Sequence, residues 1–137
     1  MQTISLDLSS QPDKIQNFQR HEHLECTYLD LSNNNLSAIP ERTFAMKDIK
    51  HLNLYNNAIA SIDDRITQRR NLHTLILSDN NITSFSTTLY SLKSVLFVDL
   101  SQNKIERFDD GFPEFEDIIS LDLSENNITS LPQWLYT

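Results

Sequence analysis

One period of 23 residues governs this chain, with repeats starting at Thr3, Cys26, Ile49, Leu72, Val95 and Ile118 and no insertion between them. In that register the fourth position reads Leu6, Leu29, Leu52, Leu75, Val98 and Leu121, and the sixth reads Leu8, Leu31, Leu54, Leu77, Leu100 and Leu123. The ninth reads Gln11, Asn34, Asn57, Asn80, Asn103 and Asn126. Self-similarity at a fixed period between ~20 and ~50 residues marks a solenoid, in which no repeat closes a core without its neighbours.

Apolar positions two apart face the same way only in extended backbone. Each fourth-and-sixth pair therefore predicts a short strand, and one strand per repeat predicts a parallel sheet. Apolar residues recur at the eleventh position (Leu36, Ile59, Ile82, Ile105, Ile128) and the fourteenth (Ile39, Ile62, Phe85, Phe108, Leu131), which returns the chain inward on the far side. There Leu89, Leu92, Phe112, Phe115 and Leu135 continue a helix-like spacing. The ninth-position amide carries both donor and acceptor where the strand turns out of the sheet. Asn34, Asn57, Asn80, Asn103 and Asn126 are thus expected to form a stacked structural ladder.

The segments LDLSNNNLSAIP, LNLYNNAIASI, LILSDNNITSF, VDLSQNKIERF and LDLSENNITSLP resemble the leucine-rich repeat family over nearly the whole chain. The 23-residue period, with Pro40 and Pro132 after the strand loop, is similar to the Ras-suppressor and Scribble-type repeats. Extracellular receptor repeats are usually one residue longer and favour a Phe found here only at Phe44. The resemblance implies an α/β fold: a right-handed solenoid, or horseshoe, whose concave parallel sheet of about six strands binds another protein. One domain is expected over residues 1–137. Its first repeat is degenerate, with Gln11 for Asn and polar Asp13 and Gln16 at core positions, the apolar residues slipping to Ile15 and Phe18. Its last repeat stops before its convex segment is complete. The chain is accordingly expected to be part of a longer array or a larger chain, the alternative being that Trp134 lies over the last repeat as a makeshift cap.

Composition narrows the partners. A single glycine, Gly111, excludes a glycine-rich phosphate loop or dinucleotide fingerprint, and no cofactor is expected. The net charge of −8 argues against nucleic acid and anionic membrane surfaces. No apolar run approaches the ~20 residues of a membrane span, so no membrane insertion is expected. The lone Cys26 occupies an apolar repeat position and is expected in the core.

Candidate binding residues lie on outward positions of the concave sheet. The third position reads Ser5, Tyr28, His51, Thr74, Phe97 and Ser120, and the fifth reads Asp7, Asp30, Asn53, Ile76, Asp99 and Asp122. The seventh and eighth positions add Tyr55 and Asp79. A protein partner is therefore expected to meet Tyr28, Asp30, His51, Asn53, Tyr55, Ile76, Asp79, Phe97 and Asp99. The competing explanation for the aromatics is cross-strand stacking that only stabilises the sheet. The acidic column equally reflects the common LDLS form of the repeat.

Other groupings carry less. His21, Glu22, His23 and Cys26 lack the spacing of a zinc motif, and no metal is expected. Arg65, Arg69 and Arg70 read as a solvated basic face on the convex side, and no Ser, His and Asp set stands out from the repeat. The chain is read as non-catalytic. Sequons at Asn35, Asn81 and Asn127 fall at one repeat position and would carry glycans in a secreted protein. Without a signal segment or paired cysteines, a cytoplasmic setting is preferred, the alternative being a truncated ectodomain of an extracellular receptor. The leading function is a protein-interaction module in signalling or scaffolding, with self-association through open repeat ends as the structural alternative.

Overall fold

The computed structural model describes residues 4–18 and 25–136. Its strands are β1 (Ser5–Asp7), β2 (Tyr28–Asp30), β3 (His51–Asn53), β4 (Thr74–Ile76), β5 (Ser84–Phe85), β6 (Phe97–Asp99), β7 (Arg107–Phe108) and β8 (Ser120–Asp122). β1, β2, β3, β4, β6 and β8 lie side by side in chain order in one parallel sheet. Every pairing joins residues one repeat apart, as Leu29 opposite Leu52 and Leu52 opposite Leu75. β5 and β7 form a second, two-stranded sheet. The chain is a solenoid, as its period implies, of the right-handed leucine-rich-repeat kind that the resemblance implies.

Burial follows the repeat positions. Leu29, Leu31, Leu54, Leu75, Leu77 and Leu100 are fully buried, together with Cys26, Ile59 and Phe85. Burial also pushes the Cys26 thiol pKa up. The convex side varies along the array: α1 (Pro12–Phe18) in the first repeat, 3-10 turns at Glu41–Ala45 and Asp64–Gln68 in the next two, and α2 (Thr87–Tyr90) in the fourth. As expected, Ile15 and Phe18 carry the burial of the first repeat.

Three residues expected to face inward do not. The eighteenth position is buried as Thr43, Ile66 and Leu89, yet Phe112 is 69% exposed. Gly111 holds a positive φ of 142° against the Tyr90 ring, and the residue before Pro113 is pushed toward extended backbone. The fifth repeat therefore makes no convex helix, and Phe112 swings outward. Leu131 and Leu135 are exposed because the sixth repeat packs against a neighbour on one side only. Trp134 does not cap the last repeat as expected: its ring packs back against the fourth and fifth repeats, 6.1 Å from Phe85, 6.1 Å from Tyr90 and 6.0 Å from Phe108.

Candidate functional site

Two polar systems frame the concave face. The first is the ladder. Asn80 Nδ2 donates to the carbonyl of Leu54 in the preceding repeat at 2.9 Å and to Leu77 in its own at 3.1 Å, while its Oδ1 accepts from Ile59 N at 2.9 Å. Asn57, Asn103 and Asn126 repeat the pattern. Asn34 also reaches back, donating to Leu8 O and accepting from Gln11 N. The Gln11 side chain makes only a local bond, to Asp7 O, as befits a degenerate member.

The second system explains the LDLS motif. Asp7, Asp30, Asp99 and Asp122 each accept from the backbone N–H and hydroxyl of the serine two residues on, at 2.9 and 2.6 Å. These bonds hold Asp7 and Asp122 below the usual carboxylate pKa. One oxygen of each carboxylate is thus committed to shaping the turn. The following residue, at the eighth position, adopts the left-handed conformation in every repeat: Ser10, Asn33, Asn56, Asp79, Gln102 and Glu125 have φ between 50° and 59°. Neither the serine bonds nor this conformation is visible in periodicity alone; the clue is the small or polar character of both positions.

On this frame the sheet brings some of the expected binding residues together and separates others. Tyr28 and His51 face each other across β2 and β3 with ring centroids 6.0 Å apart. Asn53 accepts from Tyr55 N at 3.0 Å and donates to Asp30 Oδ2 at 3.1 Å, tying the tyrosine's backbone to the acidic column. Tyr55 and Phe97 are 40% and 42% exposed, and neither ring touches another aromatic among the described residues. The strand register puts Ile76 between them, one strand and two residues from each, so that Tyr55, Ile76 and Phe97 form a diagonal apolar stripe roughly 16 Å long. Asp79 and Asp99, both half-buried, line its strand-exit side, Asp79 one strand over from Tyr55 and Asp99 directly across from Ile76.

The expected basic cluster divides. Arg65 lies 4.3 Å from the Phe44 ring centroid, pairs with Asp63 at 2.8 Å, and binds both carboxylate oxygens of Glu41. These bonds hold Asp63 down to about 2, lower Glu41 and raise Arg65. Arg69 and Arg70 instead turn to a cleft with Lys47 and Lys93. Asn35 and Asn127 are exposed and Asn81 is half-buried, all beyond the strand ends. His21, Glu22 and His23 lie outside the described residues. Among the described residues no three His, Cys, Asp or Glu side chains converge, and no helix is long and apolar enough to cross a membrane.

Comparison with known proteins agrees with this architecture. A model of paired leucine-rich repeats matches residues 25–66, and a single leucine-rich-repeat model matches 71–92 and 117–137. No curated protein matches the chain in sequence. Among solved structures, a leucine-rich repeat protein of Leptospira interrogans superposes with a TM-score of 0.69 at 22% identity, over 82% of this chain and 30% of its own. Internalin C2 of Listeria monocytogenes gives a TM-score of 0.55 at 22% identity, over 77% of this chain and 55% of its own. The chain thus spans under two thirds of either structure. The leucine-rich repeat is generally a protein-interaction module and typically non-catalytic. By its repeats and its fold, the chain belongs to the leucine-rich repeat family.

Proposed function

We propose that residues 1–137 act as one non-catalytic unit that binds a protein partner on the concave face, in a signalling or scaffolding role. The observation that carries this reading is the diagonal stripe. Tyr55 and Phe97 stay about two-fifths exposed on a sheet whose other outward positions are mostly small, acidic or amide. Large rings held on a rigid sheet lose little conformational entropy on binding, and such residues dominate interface energetics. Tyr28, His51, Asn53 and Asp30 form the polar margin on one side of it, with Asp79 and Asp99 on the other.

The test pairs Tyr55→Ser and Phe97→Ser in one variant and uses Phe112→Ser, exposed on the far side, as control. Affinity for the captured partner should fall with the concave variant while its melt stays near wild type. Equal affinities for wild type and concave variant, with the control losing binding, would remove the assignment.

A second reading rests on the sixth repeat. Ile119 and Leu131 are 68% and 54% exposed, which suits self-association through that end. Sedimentation over a range of concentrations separates the two: growth of oligomers suppressed by Leu131→Asp supports the end, and a monomer that still binds partner supports the face.

A further inference from the structure

The chain is acidic overall, at −8, yet its cations are not dispersed. Lys47, Arg70 and Lys93 occupy the same repeat position in successive turns, just before β3, β4 and β6, and Arg69 and Lys50 stand beside them. Five of the 11 lysines and arginines therefore line the edge where the strands begin. At the opposite edge, where strands end, stand Asp30, Asp79, Asp99, Asp122 and Glu125. Cations outnumber carboxylates at the strand entries of β3, β4 and β6, where Asp48 is the acidic neighbour, with Glu116 and Asp117 in the turn that follows.

Lys47, Arg69, Arg70 and Lys93 surround a cleft of about 980 Å³, with the Ser91 and Ser94 hydroxyls between them. The loops are fixed to one another: Asn71 Nδ2 donates to Lys47 O at 3.3 Å, Ser94 Oγ to Leu72 O at 2.9 Å, and Glu116 N to Lys93 O at 3.3 Å. Among the described residues Lys47, Lys50, Arg69 and Arg70 form no ion pair, and Arg69 Nε is buried without a hydrogen-bond partner. Lys93 pairs with Glu114 at 3.0 Å, both side chains more than half exposed, a contact that solvent screens and a stronger anion displaces. Glu116 closes the column on its far side as the one carboxylate of the lining.

Like charges held on rigid loops repel one another, and an anion from outside offsets the part of that cost that Asp48, Glu114 and Glu116 leave. Planar guanidiniums with adjacent hydroxyls suit a compact oxyanion. The basic edge spans three turns, roughly 10 Å, and an acidic column lies within a strand's length of it. An extended nucleic acid backbone would meet that column, whereas a short acidic segment would not. We propose that the strand-entry edge of the second to fourth repeats binds an acidic or phosphorylated peptide segment of a protein partner, gripped by Arg69 and Arg70 between Lys47 and Lys93. This surface is separate from the concave stripe and does not depend on it.

The full chain is titrated by fluorescence anisotropy with a labelled hexaglutamate peptide, a phosphoserine peptide of equal length, a neutral glutamine peptide and a single-stranded oligonucleotide. Saturable, salt-sensitive binding of either anionic peptide, weakened about tenfold or more by Arg69→Gln with Arg70→Gln, supports the site. The tighter of the two identifies the source of the oxyanion. Because Arg69 is partly buried, Lys47→Gln with Arg70→Gln provides a second variant on exposed positions, expected to weaken binding similarly. Arg65→Gln and the Tyr55→Ser, Phe97→Ser pair should leave peptide affinity unchanged. Indifference between anionic and neutral peptides, equal loss with Arg65→Gln, or an oligonucleotide that binds more tightly than both peptides would overturn the proposal.

Discussion

Asn80 reaches across one full repeat to the carbonyl of Leu54, a hydrogen bond of 2.9 Å between residues 26 positions apart in sequence. Replacing it with alanine leaves Ile59 N buried and unpaired and takes from the Leu54 carbonyl one of its two amide donors, Asn57 Nδ2 remaining at 3.1 Å. A destabilisation of about 1–3 kcal/mol is expected from equilibrium urea melts. Asn126→Ala, at a half-buried rung, should cost less. An unchanged midpoint for Asn80→Ala would mean that water replaces the amide at no cost.

Acid should weaken the convex flank. Arg65 holds Asp63 at about 2, down from the usual 3.8, and lowers Glu41 as well. Folded values below unfolded ones mean that the stabilisation is complete above the unfolded pKa and is lost as pH falls through the folded one. The loss should fall between about pH 4 and pH 2 and shrink in salt, because these groups are exposed. Arg65→Gln should flatten that part of a midpoint-against-pH curve. A curve that keeps its shape would assign the acid sensitivity elsewhere.

The left-handed eighth position predicts an unusual gain. Gln102 and Glu125 hold φ of 55° and 52°, a conformation that costs a side-chain-bearing residue roughly 1–2 kcal/mol and glycine nothing. Glycine's greater freedom in the unfolded chain offsets part of this, so Gln102→Gly should raise stability by about 0.5–1 kcal/mol. Asn56→Gly should change it little, since asparagine tolerates the conformation. Equal shifts for both would show that backbone strain is not the cause.

The lone tryptophan reports on the cluster it joins. Trp134 packs among Phe85, Tyr90 and Phe108, and its Nε1–H donates to the Tyr90 hydroxyl at 3.4 Å, which in turn donates to Asp109 O at 2.7 Å. Trp134→Ala should destabilise the chain by about 2–3 kcal/mol, below a fully buried tryptophan because the ring is only partly covered. In the parent chain, fluorescence should shift to the red together with far-ultraviolet dichroism on unfolding. A tryptophan transition well ahead of the dichroism would place this end outside the cooperative unit.

What the sequence reveals is whatever recurs. The strand positions, the buried Leu52 and Leu75, and the reach of Asn34 through Asn126 are each fixed by one residue type at one place in the period, and all appear where the register puts them. The slip of apolar burial to Ile15 and Phe18 is legible for the same reason. Features made by two positions acting together are not. Phe112 looks like Leu89 in register, and only the Gly111 and Pro113 on either side turn it outward. Arg65 and Arg70 look like one basic face, yet a 3-10 turn points the first at Glu41 in the preceding repeat and leaves the second at the strand entry. The diagonal of Tyr55, Ile76 and Phe97 sits in three different columns, so that reading down any one column separates it.

The ladder also has a direction. Each asparagine fastens the repeat before its own, supplying donors and acceptors to a turn already complete in sequence, and none fastens the repeat that follows. A turn is therefore finished only when the next one arrives. In the folded array the polar bonds of one turn are thus held by the turn after it, so that losing a single asparagine loosens the coil behind it and leaves the coil ahead intact.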